Sequence, residues 1–205
     1  MHITVLGASG ATGRHLTEHA LERGHTVVAI ARNTDRIDLP DSPGLTKVSG
    51  DVFDAASIVR AVMPGTILIS GLGVAMGSRG TLEAGARAAV DARPDRIIWL
   101  GAYGTGSSAA AAGPLTRWVL RRVMGKELGD KVAADSTVIR AGGTVFHAGP
   151  LTDKPLTVPG RTVDLADAPH RVFPATISRA SVAAAMITEA ESTTHPGATV
   201  VPLAG

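Results

Sequence analysis

The sequence predicts a single α/β domain built on a doubly wound parallel sheet. Three observations lead to this prediction. Short apolar runs alternate with segments of helical periodicity, a glycine-rich turn joins the first run to the first helix, and 205 residues are enough for one sizeable core. Apolar residues make up 44% of the chain and charged residues 19%, which is the balance of a globular protein.

Six apolar runs are predicted to form the strands of this sheet, at residues 2–6, 26–31, 46–50, 66–70, 96–101 and 136–140. Helices are predicted at residues 12–23, 54–62, 81–93 and 115–124. Glycine and proline punctuate a loop-rich region at about 141–177, which is expected to shape the substrate side of the domain. After it, Ser178 is predicted to cap a helix that runs to residue 191, and residues 198–203 are predicted to add a last strand.

Composition and charge exclude several classes of protein. The formal charge of +2 is small and its lysines and arginines are scattered, so no nucleic-acid partner is expected. The absence of cysteine excludes a disulfide framework, a thiolate metal site and a cysteine nucleophile, and no metal site is predicted. Charges interrupt the apolar stretches of residues 1–31, so neither a signal peptide nor a membrane span is expected. We expect a cytoplasmic monomer or homodimer that acts on a small molecule.

The turn after the first strand carries three glycines, Gly7, Gly10 and Gly13, spaced G-x-x-G-x-x-G. In a dinucleotide site the first glycine permits a tight turn, the second lets the backbone approach a pyrophosphate, and the third lets helix and strand pack closely. A glycine triplet alone is also compatible with a structural turn. Here it opens a helix and a second strand follows within one βαβ unit, so the sequence predicts dinucleotide binding.

The end of the second strand indicates which dinucleotide is bound. An acidic residue there would accept hydrogen bonds from the ribose of NAD, but the chain has Arg32. A guanidinium suits a 2′-phosphate, so NADP(H) is predicted in preference to NAD(H), with Asn33 and Arg14 as further contacts. The alternative is that Arg32 is a solvated charge at the end of a strand.

Two further strand ends are predicted to lie on the same edge of the sheet. Asp51 and Val52 follow the third strand and are expected to frame the adenine, although Asp51 is also placed to cap a helix. The small residues after the fourth strand are expected to let the cofactor lie against the backbone, and they are Gly71, Leu72 and Gly73. Ligands of such sheets bind beyond the carboxyl ends of the strands.

With these residues in place, the chain resembles the atypical short-chain dehydrogenase/reductases. Within them, it resembles the NAD(P)H-binding group that includes the NmrA-like proteins and the flavin reductase/biliverdin-IXβ reductase. The matching stretches are VLGASGATG, AIARN, SGDVFD and ISRASVA. This resemblance implies a Rossmann-type fold, and it implies that residues 141–144, after the sixth predicted strand, line the nicotinamide pocket. It places the phosphates at Ser9, Gly10, Ala11, Thr12 and Gly13, and the nicotinamide beside Gly101, Ala102 and Tyr103.

The usual catalytic pair of these enzymes is missing. Tyr103 is the one tyrosine, and Ser107 stands four residues later where a lysine is needed. Reduction of an ordinary ketone needs a positioned acid, commonly worth about 100- to 10,000-fold in rate. Flavins and quinones accept a hydride more readily and give delocalised anions. The sequence therefore favours an NADPH-dependent oxidoreductase acting on a small aromatic acceptor such as a flavin or quinone.

Two residues are candidates for a catalytic role, Tyr103 and His147. Each has a simpler alternative, since Tyr103 fits a half-buried aromatic and His147 fits a loop histidine without catalytic duty. The missing pair also supports a different class of function, a non-catalytic NADP(H)-binding redox sensor or regulator of the NmrA-like kind. A nucleotide-sugar epimerase or dehydratase is disfavoured, because such enzymes usually keep the Tyr-Lys pair.

Overall fold

The computed structural model describes residues 1–73, 79–109, 127–156, 160–169 and 175–203. Eight of the described strands form one sheet. They are β1 His2–Leu6, β2 Thr26–Ala31, β3 Leu45–Ser49, β4 Thr66–Ser70, β5 Arg96–Ala102, β6 Thr144–Ala148, β8 Thr162–Asp164 and β10 Thr199–Pro202. Their order in the sheet is β3-β2-β1-β4-β5-β6-β10-β8, and all neighbours are parallel except β8, which runs antiparallel to β10. The short β7 (Leu151–Thr152) and β9 (Ile177–Ser178) pair with each other.

Helices cover both faces of the sheet. They are α1 Ala11–Glu22, α2 Ala55–Ala61, α3 Thr81–Asp91, α4 Glu127–Arg140 and α5 Arg179–Ser192 among the described residues. Successive residues of β5 alternate between two cores: Ile98 packs in the core with α1 and α5, whereas Trp99 packs in the core with α2, α3 and α4. This alternation is what a parallel sheet buried on both faces requires. The predicted doubly wound Rossmann-type fold is confirmed.

The sheet order places a crevice between two strands at the centre of the sheet. The chain runs from β1 outward to β2 and β3, then returns to β4 on the other side of β1. The connections after β1 and β4 therefore leave in opposite directions, which opens a cleft beyond the carboxyl ends of these strands. The glycine-rich turn and residues 71–73 both lie at this point.

The predicted sixth strand is wrong. Residues 136–140 form the last part of α4, and the sixth strand of the sheet is Thr144–Ala148, inside the region predicted to be rich in loops. Thr137, Val138 and Ile139 are β-branched or β-favouring, which led to the prediction, but Ala134 and Val138 are buried four residues apart as on a helix face. Packing on β5 and β6 outweighs local propensity here. The predicted helix at 115–124 lies outside the described residues.

Helix α3 receives its N-terminal cap from another helix. Its N-cap residue, Gly80, has no side chain to offer, and the backbone N–H groups of Leu82 and Glu83 donate to the carboxylate of Asp130 at 3.1 and 2.8 Å. A carboxylate at a helix N-terminus satisfies exposed donors and complements the helix dipole. Asp130 thereby fixes α4 against α3 beside the crevice.

Candidate functional site

The glycine-rich turn is as tight as the spacing of its glycines predicts. Gly7 has φ of +81°, and a Cβ added at Gly13 would lie 2.1 Å from the carbonyl oxygen of Gly7. Gly10 is the N-cap of α1, makes no side-chain cap, and no acidic residue occupies the first turn of the helix. The first backbone N–H groups of α1 are thus left to bind an anion, aided by the positive end of the helix dipole.

One half of the crevice extends from this turn toward the ends of β2 and β3. It is a cavity of about 280 Å³. Of the predicted contacts it collects Gly7, Ser9, Gly10, Arg32, Asp51, Val52, Gly71, Leu72 and Gly73, and it adds Arg36 and Phe53. Arg32 and Arg36 are exposed, and neither guanidinium has an ion pair within 4.0 Å in the described part of the chain. Two unpaired cations therefore stand at one end of the cleft.

Three predicted cofactor residues do not line the two cavities of the crevice, and each makes a different contact in the structure. The amide oxygen of Asn33 accepts from the backbone N–H of Asp35 at 2.9 Å, so Asn33 caps the short 3-10 helix that carries Arg36. Arg14 lies 3.8 Å from Glu18 in an ion pair along α1. Gly13 serves the close packing of α1 on the turn described above.

Asp51 does not cap the helix that follows it. Its carboxylate accepts from the backbone N–H of Phe53 at 3.0 Å, while the N-cap position of α2 belongs to Asp54, which makes no side-chain cap. The turn thus holds Asp51 at the crevice wall beside Val52.

The other half of the crevice is a cavity of about 470 Å³ beyond β4, β5 and β6. The two halves share Gly10, Gly71, Leu72 and Gly73, so they form one continuous groove. This half also contains Ala11, Thr12, Gly101 and Ala102, as predicted, and it adds Leu100, Lys131, Ala148, Gly149, Leu151 and Arg179. Residues 141–144 do not line it. Because β6 is Thr144–Ala148, the segment that follows the sixth strand and reaches the cleft begins at Ala148.

Lys131 is the charged residue of α4 that faces this half of the crevice. It makes no ion pair within 4.0 Å in the described ranges. Burial lowers the pKa of the Lys131 ammonium, and the carboxylates of Asp135, Asp130 and Glu127 oppose that shift. The other cation of this half, Arg179, is held by Asp153 at 2.6 Å. Lys131 is thus an unpaired ammonium that is easier to deprotonate than an exposed lysine.

Tyr103 lies beside the crevice rather than in it. The residue is 6% exposed, and its buried hydroxyl has no hydrogen-bond partner among the described residues. It lines a separate small cavity that shares Gly149 with the crevice, and burial raises the pKa of its phenol. In this arrangement the hydroxyl stays protonated, and Tyr103 is not part of the crevice lining.

His147 is fully buried in the sheet. Its Nδ1 lies 2.7 Å from Ser108 Oγ and its Nε2 lies 3.0 Å from Asp135 Oδ2, so both ring nitrogens are occupied by protein groups. The structure gives the imidazole no direct access to a molecule in the crevice. Any part that His147 plays in the site has to pass through Asp135.

The residues of the crevice fit a dinucleotide. Uncapped N–H groups at the centre would meet a pyrophosphate, and glycines leave its path clear. At one end stand two guanidinium groups that have no ion pair among the described residues. A groove of this size matches the usual volume of ligand sites. Among the described residues no group of three or more His, Cys, Asp or Glu side chains is placed to hold a metal. No helix in the described ranges has both the length and the apolar character to cross a membrane.

Among the lining residues that the sequence reasoning missed, four are charged or aromatic, and two of these four left a readable signal. Arg36 follows the Asn33 cap by three residues, a spacing that returns a side chain to the strand end, and Arg179 directly follows the Ser178 cap in ISRASVA. Phe53 and Lys131 left none. Lys131 is one charge among several in a helix that the sequence reasoning did not predict.

Comparison with known proteins agrees with this geometry. A family described as NAD(P)H-binding matches residues 7–193. The probable pinoresinol-lariciresinol reductase 3 of Arabidopsis thaliana is 32% identical over 73 residues, 34% of this chain and 24% of the relative. The chain spans between 24 and 49% of the length of the curated relatives it matches.

Solved structures share the fold over nearly the whole chain. ChuY, an anaerobillin reductase from Escherichia coli O157:H7, has a TM-score of 0.79 at 21% identity, covering 98% of this chain and 97% of its own. A short-chain dehydrogenase/reductase from Veillonella parvula DSM 2008 in complex with NADP has a TM-score of 0.77 at 16% identity, covering 98% and 93%. The family match extends from the glycine-rich turn through α5 and includes every strand end that forms the crevice. The chain belongs to the NAD(P)H-binding family.

Proposed function

We propose that this protein is an NADPH-dependent reductase that transfers a hydride to a small aromatic acceptor such as a flavin or quinone. One observation carries the proposal: a single groove runs from two guanidinium groups, past the uncapped start of α1, to the ammonium of Lys131. None of these three cations has an ion pair within 4.0 Å among the described residues. The first end suits a 2′-phosphate and the last end suits a reaction that develops negative charge.

Arg32 and Arg36 support the preference for NADPH. Both side chains line the half of the crevice that extends toward the ends of β2 and β3. Neither forms an ion pair with a carboxylate within 4.0 Å among the described residues. A 2′-phosphate would therefore gain two charge-assisted contacts without displacing an existing ion pair. NAD lacks that phosphate and gains neither contact.

The ammonium of Lys131 supports reductase chemistry. When bound, NADPH supplies a hydride, which is two electrons and one proton. A reduced flavin or quinone then carries negative charge and takes a second proton. Lys131 Nζ is placed to stabilise that charge and to hold the proton, and its lowered pKa makes the proton easier to release. Reductases among the relatives, such as the Arabidopsis protein, agree with this class of reaction.

A second candidate, the non-catalytic NADP(H) sensor, draws on a different observation. Neither Tyr103 nor His147 presents a polar atom to the crevice, since one hydroxyl is enclosed and both imidazole nitrogens are occupied. If Lys131 holds no proton for an acceptor, the described residues offer the cleft no other free acid in this half. Binding without turnover is then the expected behaviour.

The experiment follows NADPH absorbance after purified protein is added to a panel of flavins and quinones, with NADH alongside. The proposal predicts acceptor-dependent oxidation that prefers NADPH. Lys131→Gln should lower kcat by about 100-fold, within the usual range for a positioned acid, and leave the Kd of NADPH unchanged. Lys154→Gln, which alters an exposed lysine outside the crevice, is the matched control. NADPH binding with no consumption by any acceptor would move the assignment to the sensor.

A further inference from the structure

A buried polar cluster lies directly behind the wall of the crevice. It joins β6, α4 and the segment after β5, because His147 contacts both Asp135 Oδ2 and Ser108 Oγ, at 3.0 and 2.7 Å. Ser108 Oγ in turn accepts from the backbone N–H of Gly104 at 2.8 Å. His147 and Ser108 are fully buried and Asp135 is 6% exposed. Such a cluster is costly unless its charges are compensated.

Gly101 shows how close this cluster lies to the crevice. A Cβ added at Gly101 would meet His147 Cδ2 at 2.8 Å and both carboxylate oxygens of Asp135 at 3.0 Å. The strand residue is glycine because the imidazole and carboxylate occupy that space. Gly101 also lines the crevice. Gly101 therefore lies between the Asp135–His147 pair and this end of the groove.

Hydrogen bonds hold both ring nitrogens of the imidazole. His147 Nε2 donates to the Asp135 carboxylate, and Nδ1 shares a hydrogen bond with Ser108 Oγ. The carbonyl oxygen of Thr105, at 3.0 Å, is a further acceptor for the Ser108 hydroxyl. One atom is left over: Asp135 Oδ1 is buried and has no hydrogen-bond partner among the described residues. His147 therefore satisfies only one of the two oxygens of the Asp135 carboxylate.

The cation on the same helix is Lys131. It precedes Asp135 by four residues on α4, a spacing that puts two side chains on the same helix face. Burial lowers the pKa of Lys131, and among the carboxylates that oppose this shift Asp135 acts more strongly than Asp130 or Glu127. Asp130 is committed to the backbone N–H groups of α3. From the other elements, Arg179 faces the same half of the crevice and Tyr103 lies beside it.

We propose that Asp135, held in place by His147, is a positioning residue that keeps the ammonium of Lys131 charged and directed into the crevice. His147 acts through Asp135, as the donor that fixes the position of its carboxylate. When Lys131 gives its proton to a reduced acceptor, the amine left behind faces an uncompensated carboxylate, which favours return of a proton from solvent. The role in turnover rests on the proposed function, whereas the coupling of Lys131 to Asp135 does not.

The direct test titrates Lys131 in the cofactor-free protein. The chain has four lysines, so isotope-labelled lysine side chains give a small set of NMR signals, and Lys131→Arg identifies the one required. Asp135→Asn should lower the pH at which Lys131 deprotonates by about one unit, as expected when an opposite charge is removed nearby. Glu127→Gln, on the same helix, is the matched control and should give less than half that shift. An unchanged or raised midpoint in Asp135→Asn would overturn the inference.

Two variants of His147 test the coupling independently, including the case in which Asp135→Asn does not fold. His147→Gln keeps an N–H donor for Asp135 and should leave the Lys131 midpoint within about 0.3 units, whereas His147→Leu removes the donor and should lower it. Equal midpoints in these two variants would refute the part assigned to His147.

Turnover separates this inference from the proposed function. In Asp135→Asn the alkaline limb of the kcat profile should move down in pH with the NMR midpoint, while the KM for NADPH is unchanged. Turnover without the NMR shift overturns the inference and leaves the reductase assignment intact. The NMR shift in a protein that reduces no acceptor upholds the coupling and removes that assignment.

Discussion

The arginine pair at the end of β2 gives the sharpest prediction about cofactor choice. Arg32→Gln and Arg36→Gln each remove a guanidinium from the crevice wall while keeping a polar side chain of moderate length. Because neither arginine has an ion pair within 4.0 Å in the described part of the chain, no carboxylate is left unpaired by the change. The expected loss is therefore the contact with the 2′-phosphate alone.

Its magnitude follows from the exposure of the two side chains. Hydrogen bonds to charged groups contribute about 1.5–3 kcal/mol, and exposed arginines such as these belong at the low end. About 1.4 kcal/mol corresponds to a tenfold change in Kd, so each substitution should weaken NADPH about tenfold. The double variant should lose about 100-fold if the two contacts are independent. NADH, which has no 2′-phosphate, should bind all variants equally.

Calorimetric titration with NADPH and NADH at two salt concentrations measures these differences. The loss should shrink at high salt, because exposed charges are screened. Arg60→Gln is the control, since its side chain is 71% exposed and does not line the crevice. Equal weakening of NADPH and NADH by Arg32→Gln would refute the reasoning and return Arg32 to a solvated strand-end charge.

Three further predictions concern stability. Gly13→Ala would place a Cβ against the Gly7 carbonyl and should lower the free energy of unfolding by about 1–3 kcal/mol through overpacking. In Gly129→Ala the added Cβ meets nothing within 4 Å, and alanine in a helix should raise the free energy of unfolding by about 0.5–1 kcal/mol. Denaturant melts in which both variants shift in the same direction would contradict this. Burial lowers the pKa of Lys131 below 10.5, so the unfolded chain holds that proton more tightly than the folded protein does. The wild type should therefore gain stability relative to Lys131→Met as the pH rises toward 10.5. A stability difference that stays constant in melts at several pH values would argue against the lowered pKa. Tyr103→Phe removes a buried hydroxyl that has no hydrogen-bond partner among the described residues, so it should raise the free energy of unfolding by about 1 kcal/mol and leave turnover unchanged. A fall in kcat would instead place that hydroxyl in the reaction.

Local sequence was sufficient for the first half of the fold. The strand at 2–6, the turn with Gly7 and Gly13, and the helix after it are specified by residues within one βαβ unit. The end of β2 fixed the place of Arg32 in the same way, because parallel strands of a doubly wound sheet end at one edge. Such features need only periodicity and turn chemistry, which are read from neighbours along the chain.

Other parts depended on contacts that local sequence does not contain. The run STVIR favours a strand by composition, yet it completes α4 because Ala134 and Val138 pack together on β5 and β6. Misplacing it moved the sixth strand and with it the predicted pocket segment. Propensity is a weak guide where burial on a sheet decides the element.

The sequence by itself determined that this chain has a dinucleotide-type crevice and which strand ends border it. Only the tertiary structure decided which charged groups face it. Lys131 reaches the cleft because α4 packs on β5 and β6. His147 has no free ring nitrogen because Asp135, 12 residues away in the chain, and Ser108, 39 residues away, hold both of them. The physical reason is that a backbone turn is fixed by its own residues, whereas the environment of a titratable side chain is set by elements that meet only after folding.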